Sequence, residues 1–327
     1  MSGSAQEIKT GAPSHCARLY RDAGALERGV SRLSGRWLAG GEPVLVMAAR
    51  ERLEALTMRL GAPERLSCLD LAAVGLNPAR IIPVMLDWIK HNRGPLRIVS
   101  EPVWPGRSQA EIVEVLRHEA LVEEALGTNP AKLLCVYEEA VLPECARPSL
   151  ERSHLVVTEP DGSVRARSLP PRPAQEVLGW GPPLEPPCEP VEQLPVTPDL
   201  GRIRARIKTS RALSELAPHE NQEFVLAINE AAANALQHGR PPRALRLWRS
   251  GSTVVGEVAC RGRIEDPLAG RRVPTANAIG GRGLWMVNQL CDLVEVRSSR
   301  SRTTLRMHKR RSHRPSGVQA FARGGCG

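Results

Sequence analysis

Two kinds of hydrophobic pattern alternate along the first half of the chain. Short continuous apolar runs are separated by stretches in which apolar residues recur at helical spacing, as Leu26, Val30 and Leu33 do. Ser108 and Glu111 have the spacing of a capping box, which marks the start of a helix. The pattern predicts strands at residues 43–47, 66–71, 96–99, 133–137 and 155–157, and helices at residues 26–37, 50–60, 78–88 and 108–126. Continuous apolar strands alternating with helices favour an α/β domain built on a parallel sheet.

The second half has a different pattern, in which helices are followed by strands. It predicts helices near residues 199–213, 218–238 and 284–290, strands at 244–248 and 254–259, and a hairpin of strands at 293–297 and 303–307. This order favours an α+β sandwich with a mostly antiparallel sheet. The first of these helices is basic, and it is either a solvated face or a docking surface for an acidic partner. Its cations are Arg202, Arg204, Arg206, Lys208 and Arg211.

Proline is concentrated between the two halves. Residues 160–198 hold 11 of the 28 prolines. Because proline removes a backbone donor and interrupts helices, this segment is predicted to be an extended linker. The expected organisation is a first domain at residues 13–159, the linker at 160–198, a second domain at 199–309 and a basic, disordered tail at 310–327. The linker composition indicates that the domains communicate through contact or tethering rather than through one continuous helix.

The charge and the cysteines restrict the class of protein. The formal net charge is +10, but residues 301–327 supply seven positive charges and no acid, so the rest of the chain carries +3. Nucleic-acid binding is therefore an unfavoured hypothesis, because no reading helix or aromatic platform accompanies the charge. No apolar run approaches the ~20 residues of a membrane helix, and the first residues lack the apolar core of a secretory signal. The eight cysteines contain no C-x-x-C pair, so we expect a reduced, cytoplasmic protein.

Candidate chemistry is concentrated in the second domain. Glu230 and Asn234 are one helical turn apart, and His238 follows one turn later. A carboxylate and a carboxamide can together hold a hydrated Mg²⁺ and orient a hydroxyl group. The glycine cluster at residues 280–283 opens a helix whose free N–H groups, with Arg282, can hold a phosphate. Two exposed polar residues and an ordinary glycine turn are the simpler interpretations, but the two features together favour a nucleotide site.

These motifs carry a family resemblance. Residues 230–239, EAAANALQHG, are similar to the N box of the histidine-kinase-like (GHKL) ATPases, and residues 280–287, GGRGLWMV, are similar to their glycine-rich lid. Residues 196–309 most resemble the anti-sigma factor serine kinases and their regulatory relatives. The resemblance implies a two-layer Bergerat sandwich, ATP and Mg²⁺ as cofactors, Glu230 as general base on a partner's serine, and Asn234 as the Mg²⁺ ligand. It also implies nucleotide contacts at His238, Gly262, Asp266, Gly280, Gly281, Arg282, Gly283 and Thr304. The partners it implies are a sigma factor or its antagonist, with a homodimer as a further expectation.

One position departs from that family. The family recognises adenine through the Asp of a D-x-G motif, whereas Cys260 stands before Gly262 in this chain. Losing a charge-assisted hydrogen bond costs roughly 1.5–3 kcal/mol, or about one to two decades of affinity. Asp266 lies six residues later and is better placed to cap a turn. Two functions therefore stay open: a protein serine kinase of the anti-sigma factor type, and a non-catalytic protein that sequesters its partner.

The first domain carries a second resemblance. It has no G-x-x-x-x-G-K-[ST] phosphate loop after its first predicted strand. The segments HCARLY at 15–20, NPARII at 77–82, EPVWPGRS at 101–108 and EVLRHE at 114–119 resemble the methanogen/methylotroph sensory (MEDS) domain. The resemblance covers residues 13–159 and implies a RecA-like parallel sheet that senses a small molecule. The candidate sensory residues are His15, Tyr20, Trp104, Arg107, His118 and Glu119.

Each sensory candidate has two interpretations. Trp104, Arg107 and Glu119 can enclose a small polar or halogenated molecule. Alternatively, Trp104 packs its own loop and Arg107 forms an internal ion pair with Glu119. His15 with Cys16 is either a metal or redox pair or an ordinary part of the core, and the spacing supplies no second ligand pair.

Overall fold

The computed structural model describes residues 15–187, 190–275 and 281–311, which build two β-sheets and the helices that cover them. Most of the predicted tail, residues 312–327, lies outside the described residues. Among the helices described, none combines the length and the hydropathy that crossing a bilayer requires.

The first sheet confirms the predicted α/β architecture. Its strands are β1 (His15–Tyr20), β2 (Val44–Ala48), β3 (Leu66–Asp70), β4 (Arg97–Ser100), β5 (Lys132–Glu138), β6 (Val156–Thr158) and β7 (Val164–Ala166). Its helices are α1 (Ala23–Ala39), α2 (Arg50–Leu60), α3 (Leu71–Val74), α4 (Ile81–His91), α5 (Gln109–Leu126) and α6 (Arg147–Ser153), with single 3₁₀ turns at Pro78–Arg80 and Glu144–Ala146. Within the described residues the order is β3-β2-β4-β5-β1-β6-β7, and all neighbours are parallel except β6 and β7.

Helices cover both faces of this sheet, which explains the continuous apolar runs in its strands. Met47 packs with the core on the side of α4 and α5, whereas its neighbour Val46 packs with α1 and α2. Strand β1 lies between β5 and β6. The hydrophobic pattern does not predict β1, because His15 and Arg18 interrupt its apolar positions.

Helix α5 begins where its capping box predicts. The Ser108 hydroxyl accepts from the Glu111 backbone at 3.3 Å, and the Glu111 carboxylate accepts from the Ser108 backbone at 2.7 Å. The helix is buried over most of its surface, including Glu114, Arg117 and Glu119. These charged residues are buried because α5 lies between the first sheet and the second domain.

The proline-rich segment contains more packed structure than an extended linker. Strand β7 pairs with β6, and the short helix α7 (Ala174–Val177) buries Val177 in the core of the first domain. Leu178 is also buried, and its carbonyl accepts from the Ser298 backbone at 2.8 Å. Prolines shorten the elements of this segment, but its few apolar side chains still pack against both domains.

The second sheet confirms the predicted α+β sandwich. Its strands are β8 (Glu192–Leu194), β9 (Arg240–Ser250), β10 (Thr253–Arg261), β11 (Leu293–Ser298) and β12 (Arg302–Arg310), and its helices are α8 (Leu200–Lys208), α9 (Pro218–Gln237) and α10 (Arg282–Leu290), with a 3₁₀ turn at Arg211–Leu213. Among the described residues the order is β11-β12-β10-β9-β8, antiparallel throughout. The core forms where Phe224 and Ile228 of α9 pack on Leu247 and Met307.

The two domains meet through a polar interface. The Arg80 guanidinium of the first domain donates to the carbonyls of Asn288, Gln289 and Cys291 at the end of α10. A second contact joins α5 to β11, where Arg117 donates to the Val296 carbonyl. The two domains are therefore in direct contact.

Candidate functional site

A cavity of about 690 Å³ opens between α9, the start of α10 and the β10–β12 face of the second sheet. Its size lies in the range of ~300–1,000 Å³ that is usual for small-molecule sites. The cavity has an apolar interior formed by Val258, Leu284 and Leu305, and its polar groups include Asn234 and His238. An apolar interior with a few polar groups suits a ligand that has both a flat apolar part and a charged part.

Asn234 and the glycine segment are in contact, as their motifs predict. A Cβ added at Gly283 would lie 2.8 Å from Asn234 Nδ2 and 3.0 Å from its Oδ1, so this close approach requires glycine. Asn234 Nδ2 is buried and has no hydrogen-bond partner among the described residues. Gly281, the N-cap of α10, has a φ of 78° and lines the same cavity. A free amide beside the positive end of a helix fits a nucleotide phosphate and its Mg²⁺.

The other predicted residues of this site divide into two groups. Those that line the cavity are His238, Gly262 and Asp266. Those that do not line it are Glu230, Arg282 and Thr304. Gly280 lies outside the described residues. Glu230 is half-buried on α9, one turn before Asn234, so the structure separates the expected base from the lining of the cavity.

Thr303, rather than Thr304, is the threonine of the cavity. Successive residues of a strand face opposite sides of a sheet, so Thr303 and Leu305 share the cavity side and Thr304 does not. Thr303 lies directly across the ladder from Cys260, and its hydroxyl donates to the Gly262 carbonyl at 2.8 Å. The alternation in β12 is the sequence signal that identifies this residue.

Cys260 lies in the cavity at the position where the resembling family has an acid. It packs closely on the end of α9, because a Cβ at Gly239 would come within 2.4 Å of its Sγ. Burial raises the pKa of the Cys260 thiol, so it stays protonated at neutral pH. A protonated thiol supplies no carboxylate for a ligand amine.

The rim of the cavity is rich in arginine. Arg263 pairs with Glu265 at 2.7 Å, and Arg272 lies 3.9 Å from Asp266. Arg240 and Arg261 also line the cavity and have no ion pair within the described ranges. Asp266 accepts from the Leu268 backbone at 2.9 Å, so it caps a turn as its position predicts. The unbalanced positive charge favours an anionic ligand.

In the first domain, Trp104 and Arg107 contact each other rather than line an opening. The guanidinium carbon of Arg107 lies 3.6 Å from the centre of the Trp104 ring. Arg107 also donates to the carbonyls of Gly75 at 2.7 Å and Leu76 at 3.2 Å. Burial lowers its pKa to about 9. Arg107 approaches Glu111 at 4.0 Å, so the ion pair that the alternative interpretation assigned to Glu119 forms with a different residue.

The other sensory candidates do not form one site with the Trp104–Arg107 pair. Tyr20 faces α1, where its ring occupies the space above Gly29. His118 is buried, burial lowers its pKa to about 3, and its Nδ1 has no hydrogen-bond partner among the described residues. Tyr20 therefore contacts a different helix from Trp104, whereas His118 lies close enough to Glu119 and Arg107 for their charges to act on its pKa.

His15 and Glu119 come together with two residues that sequence analysis does not identify. His15 Nε2 lies 3.0 Å from Glu119 Oε2, and Cys135 Sγ lies 3.2 Å from the same oxygen. His154 Nε2 approaches that oxygen from another side, also at 3.0 Å. Burial alone would raise the pKa of Glu119, but its two histidine contacts hold it well below its ordinary value. The pairing of β1 with β5 and β6, together with the packing of α5, brings these positions together, so their spacing in the sequence gives no signal.

Comparisons with known proteins agree with both resemblances. Residues 195–309 match the family model of the histidine kinase-like ATPase domain, and residues 14–154 match that of the MEDS (methanogen/methylotroph, DcmR sensory) domain. Among solved structures, the RsbU and RsbW domains of a Mycobacterium tuberculosis protein are similar at 19% identity with a TM-score of 0.30. That match covers 40% of this chain and 35% of the other, so the chain spans about a third of that relative. The search of curated proteins gave no match.

Proposed function

We propose that this chain, which joins a MEDS sensory domain to a histidine kinase-like ATPase domain, is a signalling regulator of the anti-sigma factor type that binds Mg-ATP beside Asn234. The observation that carries the proposal is the contact between Asn234 and Gly283 at the edge of a cavity of about 690 Å³. The contact joins the two motifs on which the resemblance depends, and the cavity has the volume that a nucleotide needs.

The residues of the cavity support this ligand. The apolar interior, which includes Val258 and Leu305, suits a base, and the rim cations Arg240 and Arg261 suit phosphates. Asn234 offers an oxygen for Mg²⁺, and its Nδ2 has no other partner among the described residues. Mg-ATP would supply the transferable phosphoryl group.

The proposed reaction is phosphoryl transfer to a serine of an antagonist protein. In this reaction the serine oxygen would bond to the γ-phosphorus of ATP, the bond to the β-phosphate would break and ADP would leave, while Glu230 would accept the proton of the serine hydroxyl. Glu230 lies outside the cavity lining, so the acceptor chain has to approach the face of α9 that carries it. A partner surface is available nearby, because α8 and the following turn expose five basic side chains that have no ion pair within the described ranges. They are Arg202, Arg204, Arg206, Lys208 and Arg211.

Isothermal titration with Mg-ATP tests the nucleotide site. We expect the wild-type chain to bind and Asn234→Ala to bind at least tenfold more weakly. Asn221→Ala is the matched control on the same helix, since among the described residues its side-chain amide hydrogen-bonds only to the Leu213 carbonyl, at 3.4 Å. Radiolabelled phosphate transfer to an antagonist protein, with Glu230→Gln as the inactive variant, then tests the reaction. A wild-type chain that binds no Mg-ATP would contradict both steps.

A second candidate function is supported by Cys260. Because a protonated thiol occupies the position of the base-recognising acid, the domain would sequester a sigma factor or antagonist without catalysis. Under this hypothesis the wild-type chain binds a partner but little nucleotide, and Cys260→Asp raises the nucleotide affinity at least tenfold. The candidate loses its basis when Cys260→Asp leaves the affinity unchanged.

A further inference from the structure

We infer that the buried cluster in the first domain is a metal site of the zinc class. Its four donor atoms lie within 4.8 Å of one another, and all four side chains are buried. The ligands are His15, Glu119, Cys135 and His154. This inference is independent of the nucleotide site in the second domain and of the function proposed for it.

The separations between the donor atoms already approach those of a metal centre. Zinc binds nitrogen at ~2.0–2.1 Å and sulfur at ~2.3 Å, so tetrahedral ligand atoms lie about 3.3–3.8 Å apart. Here His15 Nε2 lies 3.4 Å from Cys135 Sγ and 3.0 Å from Glu119 Oε2. His154 Nε2 lies 3.0 Å from the same carboxylate oxygen. For these pairs an ion requires the donor atoms to separate by only a few tenths of an ångström, and the remaining pairs lie within 4.8 Å.

The tautomer of His154 gives the strongest argument. Its Nδ1 lies 2.8 Å from the Leu150 carbonyl, which only accepts, so Nδ1 carries the proton. In a neutral ring Nε2 then presents a lone pair, and it faces Glu119 Oε2, a second acceptor. Nε2 has no hydrogen-bond partner among the described residues. Either a second proton on the buried ring or a metal cation between the two atoms resolves this opposition. A carbonyl that orients a histidine in this way is the usual second shell of a metal ligand, which favours the cation.

The donor set identifies the class of metal. Two imidazoles, one thiolate and one carboxylate suit Zn²⁺, whereas Mg²⁺ and Ca²⁺ prefer oxygen ligands. Four protein ligands in a buried place make a closed site, which is typical of structural rather than catalytic zinc. The ligands come from β1, α5, β5 and the residue that follows α6, so one ion would tie together segments from position 15 to position 154.

Metal analysis of the full-length chain tests the inference. We expect the wild-type protein to purify with one equivalent of zinc, and Cys135→Ser and His154→Ala to lose it. Cys291→Ser is the matched control, because this cysteine is buried outside the four ligands and should keep the metal. Circular dichroism of each variant shows whether it is folded.

A second measurement does not depend on how the variants fold. After the wild-type chain is stripped with a chelator, added Co²⁺ should give the charge-transfer absorption of a cobalt–thiolate bond, and added Zn²⁺ should raise the melting temperature. The inference is overturned when the wild-type chain carries no metal and neither ion changes its spectrum or its melting temperature. It is equally overturned when folded Cys135→Ser retains the full equivalent of zinc.

Discussion

Arg80 of the first domain holds the end of α10 that lies away from the cavity of the second domain. Its guanidinium donates to the carbonyls of Asn288 and Gln289 at 2.7 Å each, and of Cys291 at 2.6 Å. The last carbonyls of a helix lack partners within the helix and carry its negative dipole end, so a cation there is doubly favourable. Arg80→Met keeps the length of the side chain and removes the charge and all three bonds.

The size of the effect follows from these contacts. A hydrogen bond from a charged donor contributes roughly 1.5–3 kcal/mol. Arg80 is only half-buried, so water can reach the released carbonyls, and the desolvation of the guanidinium is recovered. We therefore expect Arg80→Met to lower the free energy of local unfolding of α10 by about 2–4 kcal/mol, which is less than the full contribution of three hydrogen bonds. This corresponds to a decrease of about 30- to 1,000-fold in the equilibrium constant between the folded and the locally unfolded state of α10.

Native-state hydrogen exchange measures this equilibrium directly. The amides of α10 should exchange faster in Arg80→Met by the factor given above, while those of β5 stay unchanged. Arg93→Met is the control, because Arg93 is exposed and, within the described part of the chain, its guanidinium hydrogen-bonds only to the Lys90 carbonyl, at 3.5 Å. Unchanged protection of α10 in Arg80→Met would refute the reasoning that this contact stabilises the helix.

Three further predictions concern other parts of the molecule. Gly283→Ala places a Cβ 2.8 Å from the Asn234 amide, which has to rotate away, so Mg-ATP affinity should fall at least tenfold in titration. Gly201→Ala, in the exposed helix α8, should leave that affinity unchanged. Burial raises the pKa of Glu101 from 4.5 to about 7, so the folded state keeps a proton that the unfolded state loses, and stability should fall as pH rises between these values. Denaturant unfolding should show that the free energy of unfolding decreases by up to about 3 kcal/mol over this pH range, and that Glu101→Gln abolishes the decrease. Val177→Ala should lower the stability by about 1–3 kcal/mol, because this side chain of the linker segment is fully buried; no loss would mean that α7 is not docked.

Local patterns in the sequence predict most of the fold and part of the site. The Ser108–Glu111 box and the glycines near α10 act through neighbouring residues, so their spacing is sufficient to identify them. The contact of Asn234 with Gly283 was predictable because Asn234 lies on a helix and Gly283 lies at the start of another helix of the same small domain. Helix α7 was not, since short elements held by one or two buried apolar residues have no periodic pattern.

The remaining errors arise from register and long-range pairing. The sequence predicts the bounds of strand β12, but not which face of the sheet each of its side chains lies on. Because successive side chains alternate between the faces, an error of one residue selects Thr304 where Thr303 lines the cavity. The buried cluster depends on the parallel pairing of β1 with β5 on one side and with β6 on the other. Cys135 and His154 are each more than a hundred residues from His15 in the sequence, so they become its neighbours only in the folded domain.

Helix α10 is one of the physical connections between the two domains. At 1.5 Å per residue its nine residues span about 13 Å. Gly283 near one end touches Asn234 of the cavity, and Asn288 near the other end accepts from Asn77 and Arg80 of the first domain. A hydrogen-bonded helix moves as a rigid unit, so a shift of the Pro78–Arg80 turn displaces the glycine end as well. Linkage requires the effect to be reciprocal. Mg-ATP should therefore slow the exchange of amides in that turn together with those of α10, and in Arg80→Met the two segments should respond separately.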